Sequence, residues 1–199
     1  MLSQEQKNDI FNKVMQINQV SEGYQLIHAC FAAQKIINDQ INESYKKKFA
    51  ELREQLLNAG NDDDTLTTLL NKKKELEIES RKSRINISVQ YTSSLTGKNA
   101  TTTRVGTYKN TFTISLSDEL RNIRNEDGTF DYEKMKALRE VMAHELGHIV
   151  LHADCINEEG LQDIDANKEE ESDFFSETVL ELRKKRNKLF YSSKAFETV

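Results

Sequence analysis

The sequence predicts a mainly helical α+β protein with one small sheet. Apolar residues recur every three or four positions through most of the chain, which indicates amphipathic helices. Residues 85–116 differ, because apolar and polar residues alternate there and β-branched residues are frequent, a pattern typical of strands. With 199 residues, 37% of them hydrophobic, the chain is long enough to bury a core.

Three helices are predicted before the sheet. Ser3 and Gln6 match a capping box that begins a short helix. A long apolar stripe without proline predicts a second helix over 22–58, and another stripe predicts a third over 62–82. Residues 22–82 therefore predict a helical hairpin. This hairpin is either an arm that docks a protein partner or dimerises, or a layer that packs over the rest of the chain.

Three strands are predicted over 85–91, 101–108 and 111–116, because apolar residues alternate in the first and third and β-branched residues are frequent in the second. Turn residues at 97–99 and 109–110 separate them. The expected arrangement is a small three-stranded antiparallel sheet.

One motif in the chain is typical of a metal-binding site. Asp131 predicts the N-cap of a helix over about 132–152, in which His144, Glu145 and His148 form an H-E-x-x-H motif. Histidines four apart share a helix face, so both rings can reach one metal ion at about 2 Å. Glu145 lies beside that face and could hold a water there as general base. The alternative is that His144 and His148 are ordinary core or surface histidines and that Glu145 is a solvated charge.

A zinc site of this kind needs a third protein ligand. Glu169 and Asp173 are four positions apart in a predicted downstream helix and share a face, so Glu169 could bind the metal while Asp173 accepts the free ring N–H of a histidine. Glu171 remains a rival ligand. His152 lies roughly 12 Å along the motif helix from His144, too far to bind the same ion while the helix stays straight, so a role in supporting the ligands or a structural role is expected.

The downstream helix is predicted from 168 to about 189. Its small Ser172 and Ser176 would let it approach the motif helix closely. The predicted organisation is a helical N-terminal region over 1–82, a core over 83–191 and a flexible tail over 192–199.

These residues resemble the ImmA/IrrE metallopeptidase family over about 85–182. Its pattern, R-F-T-x-A-H-E-L-G-H-x-L-L-H followed by E-x-[EQ]-A-[ND]-x-F-A, is similar to the run from Arg139 to His152 and to the later run that begins at Glu169. The chain departs from the pattern with Glu-Val-Met after Arg139, with Ser172 in place of alanine, and by lacking the closing Met-Pro.

The resemblance implies a gluzincin-like, zincin-like catalytic core with Zn²⁺ held by His144, His148 and Glu169 and with Glu145 as catalytic base. It also implies a regulatory endopeptidase that cleaves a repressor or similar protein of a bacterium, phage or mobile element. In such peptidases an edge strand binds extended substrate, and 111–116 is the expected edge, although a purely structural sheet would show the same alternation. The alternatives are a zinc-stabilised binding module and the toxin of a two-protein system.

Composition limits the expected partners and cellular location of the protein. With 28 basic and 33 acidic residues the net charge is −5, which disfavours nucleic-acid binding. No apolar run is long enough to cross a membrane, and Cys30 and Cys155 are far apart with no C-x-x-C spacing, so we expect a cytoplasmic protein without a disulfide framework. Cys155 follows the motif helix closely, where a metal-binding or switch role is conceivable, but a buried or loop thiol is the expected role.

Overall fold

The computed structural model describes residues 1–20, 26–60, 62–95, 97–106 and 110–194. These residues form five α-helices, a three-stranded sheet and a two-stranded hairpin, which confirms the mainly helical α+β class. The helices are α1 (Gln4–Val20), α2 (Leu26–Asn58), α3 (Asp63–Lys82), α4 (Tyr132–His152) and α5 (Ala166–Lys194). The strands are β1 (Asn86–Thr92), β2 (Ala100–Arg104), β3 (Thr111–Ser117), β4 (Ile156–Asn157) and β5 (Gly160–Leu161).

The capping box that begins α1 is confirmed. The Ser3 backbone N–H donates to Gln6 Oε1 over 2.9 Å, and the Gln6 backbone N–H donates to Ser3 Oγ over 3.2 Å. The two residues thus satisfy each other's free backbone donors at the helix start. The apolar face of α1 is buried in the common core.

The two helices of the predicted hairpin pack against each other. The Tyr45 hydroxyl of α2 lies 2.9 Å from Glu79 Oε1 and 2.8 Å from Ser83 Oγ, both at the end of α3. The first half of α2 belongs to the common core, so part of the hairpin packs over the rest of the chain. The expected start of α2 at 22 falls on residues 21–25, which lie outside the described residues.

The sheet is mixed, so the predicted all-antiparallel arrangement is wrong. The strand order is β1-β3-β2, with β1 parallel to β3 and β2 antiparallel to it. The alternation of apolar residues is the same in either arrangement, because it reports which face is buried and not which strand is the neighbour. Thr92 ends β1 and Ala100 begins β2, and these strands lie two positions apart in the sheet, roughly 10 Å from each other, a separation that a tight hairpin does not span.

The order also overturns the prediction that 111–116 is the edge, because β3 is the central strand. One true edge, β1, is covered by amides of α2. Asn38 bonds both the N–H and the C=O of Ile85, over 2.7 and 3.0 Å, and Gln34 accepts from the Ile87 N–H over 3.1 Å. The other edge, β2, ends at Arg104, earlier than predicted, and residues 107–109 lie outside the described part of the chain.

Helix α4 packs on the sheet and on α5, and α5 also packs on α1. Asp131 caps α4 as predicted, accepting from the Lys134 backbone N–H over 3.1 Å. Helix α5 continues to Lys194, past the expected end at 189, so the predicted tail is helical over 192–194, and 195–199 lie outside the described residues. One buried cluster contains residues of α1, α2, the sheet, α4 and α5, and so includes residues from both sides of position 82. The division into regions 1–82 and 83–191 stays a prediction.

The structure distinguishes the two cysteines. Cys30 is 3% exposed in the core cluster, where burial raises the pKa of its thiol to about 12, whereas Cys155 is partly exposed after α4. Within the described ranges, no helix has the length and apolarity needed to cross a membrane.

We therefore expect a thiol reagent such as dithiobisnitrobenzoate at pH 8 to spare Cys30 in the folded protein, because the thiol is both buried and protonated. In the Cys155→Ser variant, the native protein should not react with the reagent, and the protein unfolded in guanidinium should show one reactive thiol, that of Cys30. Rapid labelling of native Cys155→Ser would contradict the placement of Cys30.

Candidate metal centre

Three side chains from two helices converge on one point. His144 Nε2 and His148 Nε2, both from α4, lie 2.9 Å apart. Glu169, near the start of α5, places Oε2 3.2 Å from His144 Nε2 and 3.8 Å from His148 Nε2. The three residues predicted as ligands are therefore brought together, and as a group they could hold a metal ion.

The donor set fits zinc. Ligand atoms that bind one tetrahedral zinc ion at about 2.0–2.1 Å lie roughly 3.3 Å from each other. The separations of 2.9, 3.2 and 3.8 Å bracket that value. Two imidazoles and one carboxylate also leave the fourth coordination position open, as catalytic zinc sites do.

Hydrogen bonds to the other ring nitrogens favour the tautomer that a metal requires. His144 Nδ1 lies 2.8 Å from Asp173 Oδ1, and His148 Nδ1 lies 2.9 Å from Ser172 Oγ. An ionised carboxylate only accepts, so His144 donates through Nδ1, and Ser172 can accept from His148 in the same way. With both rings in this tautomer each Nε2 would carry a lone pair directed at the other, an arrangement that a cation between them would stabilise.

Asp173 thus contacts a candidate ligand as the sequence predicted, whereas the contact made by Ser172 was missed. Its small size suggested only a close helix approach. The spacing holds a signal, since Ser172 lies three positions after Glu169 and shares its helix face. Which histidine it meets depends on the rotation of α5 against α4, and that is not visible in the sequence.

Burial keeps the deeper histidine neutral. His148 is 1% exposed, and desolvation, with further contributions from His144 and His152, lowers its pKa to about 3. A neutral imidazole is the form that binds a metal. His148 is thus available as a ligand without first losing a proton at any ordinary pH.

Glu145 lies beside the three converging side chains but is not one of them. Its carboxylate is 7% exposed and accepts a hydrogen bond from Thr102 Oγ1 on β2. Burial raises the pKa of Glu145, and the bond from Thr102 opposes that rise. A buried carboxyl with a raised pKa, next to a possible metal position, has the environment of a general base.

Glu171 does not point at the metal position. Its Oε2 lies 2.7 Å from His152 Nε2, and its Oε1 accepts from Gln6 Nε2 of α1 over 3.0 Å. The structure therefore places Glu169, and not the rival Glu171, beside His144 and His148. His152 joins the end of α4 to α5 and α1 through Glu171, a contact of the structural kind that the sequence predicts for it.

Gly147 sets the distance between α4 and α5. A Cβ at this position would lie 3.3 Å from the backbone of Ser172 and 3.2 Å from the ring of Phe175, tighter than ordinary van der Waals contact. The glycine of the H-E-L-G-H run therefore lets α5 approach closely enough for Glu169 to reach the histidines.

A cleft of about 610 Å³ opens beside the metal position. His144 and Glu145 form part of its wall, and the start of β2 forms another part through 98–100. The remaining lining residues come from α4 and α5, and they are Glu140, Val141, Asp173, Ser176, Glu177 and Leu180. The candidate metal position is thus reachable from solvent along the open end of β2.

The start of β2 offers free hydrogen-bonding groups at this cleft. The Ser117 N–H donates to the Asn99 C=O and the Val105 N–H to the Thr111 C=O, so alternate residues from 99 onwards pair with β3. The same alternation turns the backbone N–H and C=O of Ala100 away from β3, and Ala100 lines the cleft. Thr102 is fully buried, and the β4–β5 hairpin lies against β2 beside it, so a peptide in extended form could pair with β2 at its start.

In comparisons with known proteins, no family model, no curated protein and no solved structure matches this chain.

Replacing Gly147 by alanine should lower the free energy of unfolding of the metal-free protein by about 1 kcal/mol. The added methyl overpacks the helix contact at a cost of about 1–3 kcal/mol, which exceeds the roughly 1 kcal/mol that alanine contributes in a helix. Urea unfolding measures the change. A more stable variant would mean that α5 shifts freely and that its position is not fixed at Gly147.

Glu169→Ala should abolish stoichiometric zinc binding, whereas Glu171→Ala should keep it. Glu169 is the carboxylate beside the two imidazoles, and Glu171 is held by His152. Equilibrium dialysis followed by metal analysis measures the zinc content of both variants. The reverse result would make Glu171 the ligand.

Proposed function

We propose that this chain is a zinc-dependent endopeptidase with Glu145 as its catalytic base. The observation that carries the proposal is the position of a buried carboxylate beside a His144, His148 and Glu169 group that could hold a metal ion. Zinc bound by this group would polarise a peptide carbonyl and make a water molecule more acidic.

The protein residues then have distinct tasks. Glu145 takes a proton from the water whose oxygen attacks the carbonyl carbon, and it passes a proton to the leaving amine as the C–N bond breaks. Asp173 and Ser172 keep the rings of His144 and His148 in one tautomer through their Nδ1 contacts.

An extended peptide is the substrate form that this cleft favours. The outward N–H and C=O groups of Ala100, which lines the cleft, can pair with a substrate main chain by strand addition. The opposite edge of the sheet is less available, since Asn38 and Gln34 already bond the backbone there. We therefore propose the start of β2 at Ala100, and not the 111–116 strand expected from the sequence, as the substrate-binding segment.

The biological task is proposed from the sequence resemblance. The motif residues similar to the ImmA/IrrE family are those that converge here, which supports a gluzincin-like core. On this basis we propose a regulatory protease that cleaves a repressor or related regulator in the cytoplasm of a bacterium, or one encoded by a phage or mobile element.

A second candidate, a protein-binding module, is favoured by exposed apolar side chains on the α2–α3 hairpin. Leu57 is 76% exposed, Leu70 54% and Ile78 46%. Large apolar side chains at the surface are frequent where partners bind. This function would use the metal for stability only, and a bound partner would remain uncut when zinc is added.

Glu145→Gln separates the two functions. It should keep one zinc ion per chain, because Glu145 is outside the ligand group, while cleavage falls by at least about 10²-fold through loss of the base. The trial substrate is the protein encoded beside this one. Intact-mass spectrometry measures its cleavage with zinc and with a chelator.

Glu133→Gln is the matched control, since Glu133 is an exposed residue in the first turn of the same helix. It should cleave at the wild-type rate. Undiminished cleavage by Glu145→Gln would remove Glu145 as the base, and an intact partner with wild-type protein and zinc would favour the binding module.

A further inference from the structure

Thr102 contacts Glu145 from the strand that borders the cleft. It is the middle residue of β2, is fully buried at 0% exposure, and donates its hydroxyl proton to Glu145 Oε2. The contact joins β2 to α4 across 43 positions of sequence. A buried hydroxyl costs free energy unless it is bonded, and here its one proton goes to the Glu145 carboxylate.

The pairing of Thr102 with the neighbouring strand does not use its hydroxyl. Thr102 pairs with Ile114 of β3, and a buried strand site of this size suits valine, which has nearly the same shape and a high strand propensity. What threonine adds is a donor directed at one carboxylate. The hydroxyl therefore acts on Glu145 more than on the sheet.

Thr102 also links the base to the strand that borders the cleft. Ala100, two residues earlier in β2, lines the cleft, whereas Thr102 is fully buried and its side chain reaches the Glu145 carboxylate. The segment proposed to pair with substrate is thus connected to the base through Thr102. A small displacement of a catalytic group from its substrate lowers a reaction rate strongly.

We infer that Thr102 is a positioning residue for Glu145, an inference that rests on the proposed peptidase function. Its hydroxyl holds Oε2, which fixes the rotamer of the side chain and leaves Oε1 as the oxygen that receives the proton of the attacking water. Without this bond the carboxylate can adopt other rotamers, so fewer encounters with substrate place the base correctly.

Three variants of the full, zinc-loaded chain test this inference. Thr102→Val removes the hydroxyl and keeps the shape, and Thr102→Ser keeps the hydroxyl. The control Thr103→Val also replaces a threonine by valine, but on the opposite face of the same strand. With the neighbouring encoded protein as substrate, Thr102→Val should lower kcat about tenfold to a hundredfold, with KM changed less than about twofold and zinc content unchanged. Thr102→Ser should restore most of kcat, and Thr103→Val should match wild type.

A spectroscopic measurement tests the contact independently of cleavage. In protein labelled with carbon-13 at the glutamate carboxyls, the resonance of Glu145 is assigned by its absence in Glu145→Gln. It should shift in Thr102→Val and keep its position in Thr102→Ser and Thr103→Val. An unshifted resonance in Thr102→Val overturns the inference, as does an undiminished kcat or a Thr102→Ser variant as slow as Thr102→Val.

These outcomes are distinguishable from failure of the proposed function. If wild-type protein cleaves nothing with zinc present, the peptidase assignment fails and the catalytic role of Thr102 fails with it. The resonance shift would still show whether Thr102 holds Glu145.

Discussion

The close contact between α4 and α5 at Gly147 is the constraint on which the site depends. Gly147 leaves room for α5 to lie close to α4, and across this contact Glu169 lies beside His144 and His148 and Ser172 lies beside His148. A buried cluster joins α1, α2 and the sheet to the same two helices. The chain thus places its polar site at a helix contact that the common core supports.

Local periodicity was enough to predict the parts of the site that lie on one helix. Four-residue spacing puts His144 and His148 on one face of α4, and Asp131 marks where that helix begins. The choice between Glu169 and Glu171 could not be made in this way, because it depends on how α5 is rotated against α4. In the structure Glu169 lies beside the two histidines and Glu171 is paired with His152.

The sheet shows the same limit at longer range. Alternation and β-branched residues predicted the three strands, yet they could not show that β3 is central, since buried faces of edge and central strands look alike in sequence. The contact between Thr102 and Glu145 was hidden for a related reason. A threonine in a β-branched strand carries no local sign that its hydroxyl meets a helix 43 positions away.

The partial covering of both sheet edges has a consequence for the peptidase proposal. Asn38 and Gln34 bond the outward groups of Ile85 and Ile87 at one edge, and at the other edge Ala100 borders the cleft while Thr102 is buried. Substrate pairing at the start of β2 would therefore use a single extended segment. If the peptidase proposal holds, the rate at which a folded target is cut depends on how often the segment around its cleavage site unfolds locally. Selectivity would then reside partly in the stability of the target itself.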